Sequence, residues 1–421
     1  MPDTATTHRP LFCPGARVAA PADLQSVLSR APAAARAVFK LLGRLEHGTL
    51  ELQLPDGSHT RMGSGAAPRA AIRIDDWAVC AATLKSGDIG FAESYIAGHW
   101  GTPDLAALLR LFIANRERIE SVIYGKRWGG LLYRLRHLFN RNSRAGSRRN
   151  IHAHYDLGNA FYRRWLDETM NYSSAWFDGR LDQPLAQAQR AKVRRAIDEV
   201  GVRPGQRVLE IGCGWGAVAE SVARERGAHL TGVTLSTEQL DYARQRLADA
   251  GLAERADLRL QDYRDIADAP FDAVISIEMF EAVGRSYWPS YFETVKRCLK
   301  PGGRACIQSI TIRDDLFERY VRSTDFIQQY IFPGGLLPSI SEFTRAAERA
   351  GLVVERQLAF GPDYAETLRR WRAAFLAQER EVIGLGFDTR FMRTWEFYLA
   401  YCEAAFDTGN TDVVQFTLRR P

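Results

Sequence analysis

At 421 residues the chain is too long for one ordinary hydrophobic core, so two domains are expected. Hydrophobic content of 46% with 25% charged residues excludes a disordered chain, and the lack of any run of 18 or more apolar residues excludes a membrane-spanning helix. The net charge of +6 is local: residues 121–155 carry eight Lys or Arg and no Asp or Glu, which leaves about −2 for the rest.

The opening stretch MPDTATTHRPLFCPG lacks a basic start followed by an apolar segment, so no secretory signal is expected and the compartment is expected to be the cytoplasm. The six cysteines (13, 80, 213, 298, 306 and 402) are scattered, with no Cys-x-x-Cys pair and no Cys/His cluster of zinc spacing, which points to reduced thiols and no metal. None of the eight histidines lies beyond His229, so a histidine-based triad in the C-terminal half is excluded.

In chain order, residues 1–120 read as a small α+β domain. GTLELQLPDGSHTRM alternates in period two around Pro-Asp-Gly, the pattern of a hairpin. DLAALLRLFIANRERI has helical periodicity. Residues 121–150 follow as an amphipathic basic helix and a Gly/Ser/Asn/Arg linker. Its Lys and Arg, within 126–149, suit anionic lipid headgroups. A solvated helix packed on its own domain is the equal alternative. No nucleic-acid-reading motif accompanies the segment, so nucleic acid is not an expected partner. From 151 to 421, RVLEIG, HLTGVTL, DAVISIE and GGRACIQSI alternate with helical runs such as TEQLDYARQRLADAG. This is the βαβ pattern of an open, mostly parallel sheet.

VLEIGCGWG places Gly212, Gly214 and Gly216 directly after a strand and before a helix, with Glu210 ahead of them. The G-x-G-x-G spacing resembles motif I of the class I S-adenosylmethionine-dependent methyltransferases. The next strand ends at Thr234 and Leu235, where a ribose-binding acid would stand, so Gln239 is the candidate for the ribose hydroxyls. LQDYRD offers Asp262 for the adenine amino group and Tyr263 as a ring wall.

NIHAHYDLGNAFYRRWLDETMNYSSAWF, VLEIGCGWG, GVTLSTEQ, EMFEAVG, YIFPGGLLPS and FGPDYAETLRRW occur in this order. Together they resemble the cyclopropane fatty acyl phospholipid synthases and the related mycolic acid methyltransferases. GDIGFAESYIAGHW extends the resemblance to the lipid-binding domain of full-length bacterial synthases. The implied fold is α/β, a Rossmann-like class I methyltransferase sheet with helices on both faces, plus the small N-terminal α+β domain. The implied reaction is attack of an acyl-chain double bond on the methyl group of S-adenosylmethionine, leaving a carbocation. Loss of a methyl proton then closes a cyclopropane.

A π-bond nucleophile needs no activating histidine; the site needs dryness, aromatic faces and a base. The resemblance implies that the base is a bicarbonate ion. By motif, Glu281 and Tyr364 match its Glu and Tyr ligands, Gln308 stands in place of His, Ser174 in place of Cys, and Ile310 matches Ile. Cys402 matches a cysteine flagged as active-site in the family, or is a buried helix-face thiol. Tyr172 and Ser173 join the cofactor residues. Tyr155, Phe280 and Tyr330 are candidates for substrate contact, each with ordinary core as the alternative. The better-known members carry a small residue at the position of Glu278, which is left to touch the cofactor or pair with an arginine.

Implied partners are unsaturated acyl chains of phospholipids and the inner membrane face, and the resemblance leaves room for a homodimer. Two other readings stay open: the same first step ending in a methylene- or methyl-branched chain, and a non-catalytic lipid-binding paralogue.

Overall fold

The structure is a computed structural model that describes residues 27–123 and 157–421. The basic segment 126–149 and Tyr155 lie outside the described residues. The described residues divide into two compact units, one of 27–123 with 388–408, the other of 157–387 with 409–421.

The first unit holds a four-stranded sheet in the order β2-β1-β3-β4, from β1 (Thr49–Gln53), β2 (His59–Gly63), β3 (Arg69–Ile74) and β4 (Trp100–Gly101). The expected hairpin forms: β1 and β2 pair antiparallel, and Leu54 N–H donates to Ser58 O at 2.8 Å across the Pro-Asp-Gly turn. The expected helix runs over Leu105–Ala114, capped by Asp104, whose side chain accepts from Ala107 N–H. A helix from far along the chain, Thr389–Asp407, also belongs here. Tyr95 Oη donates to Glu396 Oε2 at 2.6 Å, Arg393 Nε donates to Tyr95 O at 2.6 Å, and Arg110 pairs with Glu403 at 3.3 Å. The expected boundary at 151–421 therefore differs from the observed one, because this helix buries its apolar face in the first unit.

The second unit is a seven-stranded sheet. Its order is β10-β11-β9-β8-β5-β6-β7, with β5 (Arg207–Ile211), β6 (His229–Thr234), β7 (Ala256–Leu260), β8 (Phe271–Ile277), β9 (Leu299–Ile312), β10 (Val353–Ala359) and β11 (Thr411–Arg419). Pairings from β9 through β7 are parallel, and β11 pairs antiparallel with both β9 and β10. Neighbouring residues on a strand point to opposite faces. Val208, Ala273 and Ile275 accordingly pack with the helices Leu185–Val200, Ala217–Arg226 and Thr237–Asp249. Leu209, Ile211 and Val274 pack with the helices Trp288–Cys298 and Ile340–Arg349. The chain leaves β5 towards β6 and β7, then returns to build β8 and β9 on the other side. The crevice between the carboxyl ends of β5 and β8 is thus the switch point at which such sheets bind ligands.

Candidate active site

The ends of β5, β6 and β8 open into one cleft. It is lined by Tyr172 and Ser173, by Glu210, Gly212 and Gly214, by Thr234, Leu235 and Gln239, and by Asp262 and Tyr263. Of the expected cofactor residues only Gly216 stays out of the lining. It sits at φ +83, and a Cβ there would lie 3.0 Å from the Ala243 Cβ, so its task is close packing of two helices. Gly212 and Gly214 also take positive φ, +86 and +48. Glu210 Oε2 is buried without a hydrogen-bond partner among the described residues, an acceptor awaiting a ligand's donor. Burial drives the Glu210 carboxyl well above its ordinary pKa, opposed by Lys192 and Arg246. Thr234 Oγ1 donates to Gln239 Oε1 at 3.1 Å. Asp262 is held by Arg264, whose Nε donates to Asp262 Oδ1 at 2.8 Å and whose Nη2 reaches Oδ2 at 2.5 Å. A charged, glycine-lined cleft with an unsatisfied buried acceptor suits S-adenosylmethionine.

Beside this cleft lies a second cluster, and its focus departs from expectation. Tyr364, Gln308 and Ser174 were expected beside Glu281. Instead all three turn to Glu278. Tyr364 Oη donates to Glu278 Oε2 at 2.6 Å. Gln308 Nε2 donates to Oε1 at 2.7 Å, and Ser174 N–H donates to the same oxygen at 2.9 Å. Glu278 also lines the cofactor cleft, with Ile277 and Met279. Its backbone sits at φ +49, a left-handed conformation uncommon for a residue with a side chain, as often found at functional sites.

Bicarbonate does not fit this arrangement, because the donors that would hold it are bonded to a side-chain carboxylate. The arginine partner considered for Glu278 is replaced by two neutral donors, a backbone amide and the nearby Lys192 ammonium. Glu281 takes a different environment. Its Oε1 accepts from Ile310 N–H and, at 3.1 Å, from Ser309 Oγ, while Oε2 is buried with no partner among the described residues. Burial, and then the charge of Glu278, push Glu281 up to about 8. Burial also raises Glu278, but Tyr364, Lys192, Ser174 and Gln308 all oppose it.

Lys192 was not singled out from the sequence. It is fully buried on the helix Leu185–Val200, where its Nζ donates to Ser173 Oγ at 2.5 Å and Asn171 Oδ1 at 3.3 Å. Burial lowers it to about 8, against the pull of Glu278, Asp167 and Glu210. The rings of Tyr172 and Trp215 line the cleft, backed by the buried rings of Tyr162, Trp165 and Trp371. Tyr172 lies 5.5 Å from Trp165 and 5.6 Å from Trp371, and Tyr162 lies 5.1 Å from Trp215. Such walls exclude water and present π faces to positive charge. Trp215 Nε1 donates to Asn159 Oδ1 at 2.6 Å, tying the helix Asn159–Tyr162 to the glycine turn.

Phe280 is corrected to core. It is fully buried against Trp288, Tyr291, Phe292 and Phe343, because the 3-10 turn Phe280–Ala282 inserts it beneath the sheet. Tyr330 stays exposed, stacked on Phe326. Cys402 rides on Thr389–Asp407 in the first unit and is half-buried, so it is not one of the residues that build the cleft.

The sheet order, the glycine turn and the cleft at the switch point define a class I S-adenosylmethionine-dependent methyltransferase. Residues 142–416 match the mycolic acid cyclopropane synthetase family, and the chain belongs to that family. It is 42% identical to the tuberculostearic acid methyltransferase UfaA1 of Mycobacterium tuberculosis over 399 residues, 93% of this chain and 92% of that one. It is 33% identical to the cyclopropane-fatty-acyl-phospholipid synthase of Escherichia coli over 382 residues, 88% of this chain and 96% of that one. Among solved structures it resembles the mycolic acid cyclopropane synthase CmaA1 complexed with SAH and CTAB, with a TM-score of 0.61 at 33% identity, covering 64% of this chain and 97% of that one.

Proposed function

We propose that this enzyme methylates the double bond of an unsaturated fatty acyl chain, that Glu278 accepts the proton released, and that the product is a methylene-branched chain. The observation that carries this is the Glu278 carboxylate, held by three donors beside the cofactor cleft. A carboxylate fixed there is a base that needs no dissolved ion. S-adenosylmethionine supplies an electrophilic methyl group when bound. Glu210, Gly212, Gly214 and Tyr172 would hold its amino-acid end, Thr234 and Gln239 its ribose, and Asp262 and Tyr263 its adenine.

In this reading the alkene electron pair would form a bond to the methyl carbon as that carbon's bond to the cofactor sulfur breaks and S-adenosylhomocysteine leaves, with a cation left on the neighbouring alkene carbon. The ring walls keep water away from that cation. A hydride then moves from the methylated carbon to its neighbour, and Glu278 takes a proton from the added methyl group, leaving a C=CH2 unit. Reduction to a methyl branch requires a hydride donor outside this reaction. Likeness to the tuberculostearic acid methyltransferase, together with the three departures at Ser174, Gln308 and Glu278, favours the branched product. Likeness to the E. coli synthase along nearly its whole length favours a second reading, in which the methyl carbon closes a cyclopropane as it loses the same proton. The membrane phospholipid acyl chain is the proposed substrate form, with peripheral docking of the basic segment 126–149.

Expression in a bacterium lacking such an enzyme, with 13C-methyl methionine, decides between them. Labelled vinylidene carbons in the extracted fatty acids support the first reading, and labelled cyclopropyl carbons at high field support the second. Unlabelled fatty acids sink both.

A further inference from the structure

The Gln308 amide must present nitrogen, not oxygen, to Glu278. A chain of buried groups behind it decides this. Gln308 on β9 is the register partner of Gln415 on β11, and both are fully buried. Gln415 Nε2 donates to Gln308 Oε1 at 3.0 Å and to Lys192 O at 3.3 Å. Gln415 Oε1 in turn accepts from Arg195 Nη1. Arg195 sits on the helix Leu185–Val200, paired with Glu199 at 3.4 Å and over the Trp176 ring at 5.8 Å.

A guanidinium only donates, whereas an amide donates at one end and accepts at the other. Arg195 therefore draws the Gln415 oxygen towards itself. That turns the Gln415 nitrogen to Gln308 and draws the Gln308 oxygen away from Glu278. Arg195 at one end of the Gln415 amide and the Lys192 carbonyl at the other together set the polarity of the last bond.

We propose that Arg195 and Gln415 are positioning residues, forming a one-way hydrogen-bond relay that commits Gln308 as a donor to Glu278 and keeps that carboxylate ionised. This rests on Glu278 being the proton acceptor. The other groups facing Glu278 are Tyr364 Oη from the helix Gly361–Ala377, the Ser174 N–H, the Lys192 ammonium and the Glu281 carboxyl. The relay adds to the first three and offsets burial and Glu281.

Gln415→Glu reverses the relay. A carboxylate at 415 accepts from both Arg195 and Gln308, so the Gln308 amide turns and sets its oxygen against Glu278. The titration of Glu278 is read without turnover, as the infrared carboxyl band that Glu278→Gln abolishes. The relay predicts that this band titrates roughly one pH unit or more higher in Gln415→Glu. The acidic limb of the kcat–pH profile moves with it, while S-adenosylmethionine affinity by calorimetry stays within roughly threefold. Arg195→Met, which removes the fixed donor and adds no charge, should move both in the same direction by less. The control is Gln415→Glu in a Gln308→Leu background, where the shift should vanish. An equal shift there shows that buried charge acts directly and overturns the relay, as does an unmoved band in both single variants. Should the band shift as expected while Glu278→Gln retains full turnover, the relay stands and the proton-acceptor reading fails.

Discussion

Glu281→Gln tests the electrostatics of the site through stability. The Glu281 carboxyl titrates near 8 in the folded protein against 4.5 for an ordinary glutamate, chiefly because it is buried. A carboxyl with a raised folded pKa binds its proton more tightly when folded. Stability is therefore undiminished below about pH 4.5, falls as pH rises to about 8, and is flat above that. At about 1.4 kcal/mol per pH unit across this window, the full penalty is about 5 kcal/mol, and about 3 kcal/mol is already present at pH 7. Glutamine has the shape of the protonated acid and can still accept from Ile310 N–H and Ser309 Oγ, yet it never ionises. Denaturant midpoints measured from pH 5 to 9 should coincide for the two proteins at the acidic end. They should diverge up to about pH 8 and keep a constant gap above it, the variant ending several kcal/mol more stable. Titrating groups not coupled to Glu281 are common to both proteins and cancel in the difference, so what remains belongs to Glu281 and its coupled neighbour Glu278. Parallel curves, or a variant weaker at every pH, would refute the assignment of Glu281 as a neutral buried acid.

Three further outcomes follow from the same geometry. Glu278→Gln cannot take up a proton, so turnover should fall about 10²- to 10⁴-fold while S-adenosylmethionine still binds, read by labelled-lipid assay and calorimetry. Lys192→Met removes the buried ammonium facing Glu278 and Glu210 and the donor to Ser173 Oγ. The acidic limb of the activity profile should move to higher pH and cofactor affinity should drop, whereas an unchanged limb would show that Lys192 acts by packing alone. Gly216→Ala places a methyl group 3.0 Å from Ala243 Cβ at φ +83, which should cost about 1–3 kcal/mol in unfolding free energy.

Much of this arrangement was legible because it is periodic or glycine-marked. The strands β5, β6, β8 and β9 and the helix Thr237–Asp249 announce themselves by apolar spacing. The floor of the cleft is fixed by Gly212 and Gly214 after β5. Lys192 is missed by motif, although a signal is present: it shares the buried stripe of Ala188, Val193, Ala196 and Ile197, and a lysine on such a stripe signals a partnered charge. The exchange between Glu278 and Glu281 was not legible. The motif points to Glu281, whereas which of two glutamates three residues apart meets Tyr364 depends on the backbone turning to φ +49 at Glu278. That turn drives Phe280 into the core and leaves the two acids in different environments. The placement of Thr389–Asp407 was hidden for a different reason, since its partners Tyr95 and Arg110 lie nearly 300 residues away in sequence.

The strained turn yields the sharpest test of what Glu278 replaces. A left-handed φ disfavours a side chain by about 1 kcal/mol and suits glycine. The conformation is therefore retained against a local preference, and the three hydrogen bonds from Tyr364, Gln308 and Ser174 hold it. Glu278→Gly should relieve the strain and leave those three donors around a space the size of a small carboxylate. Turnover should collapse as in Glu278→Gln. Unlike that variant, it should recover on adding formate or acetate, saturably, because the donors that held the side chain would hold the free anion. Recovery in the glycine variant alone assigns the pocket to an anion that accepts the proton. Equal recovery in the glutamine variant, whose side chain still fills the space, would mean that the anion acts elsewhere and that Glu278 is not the base.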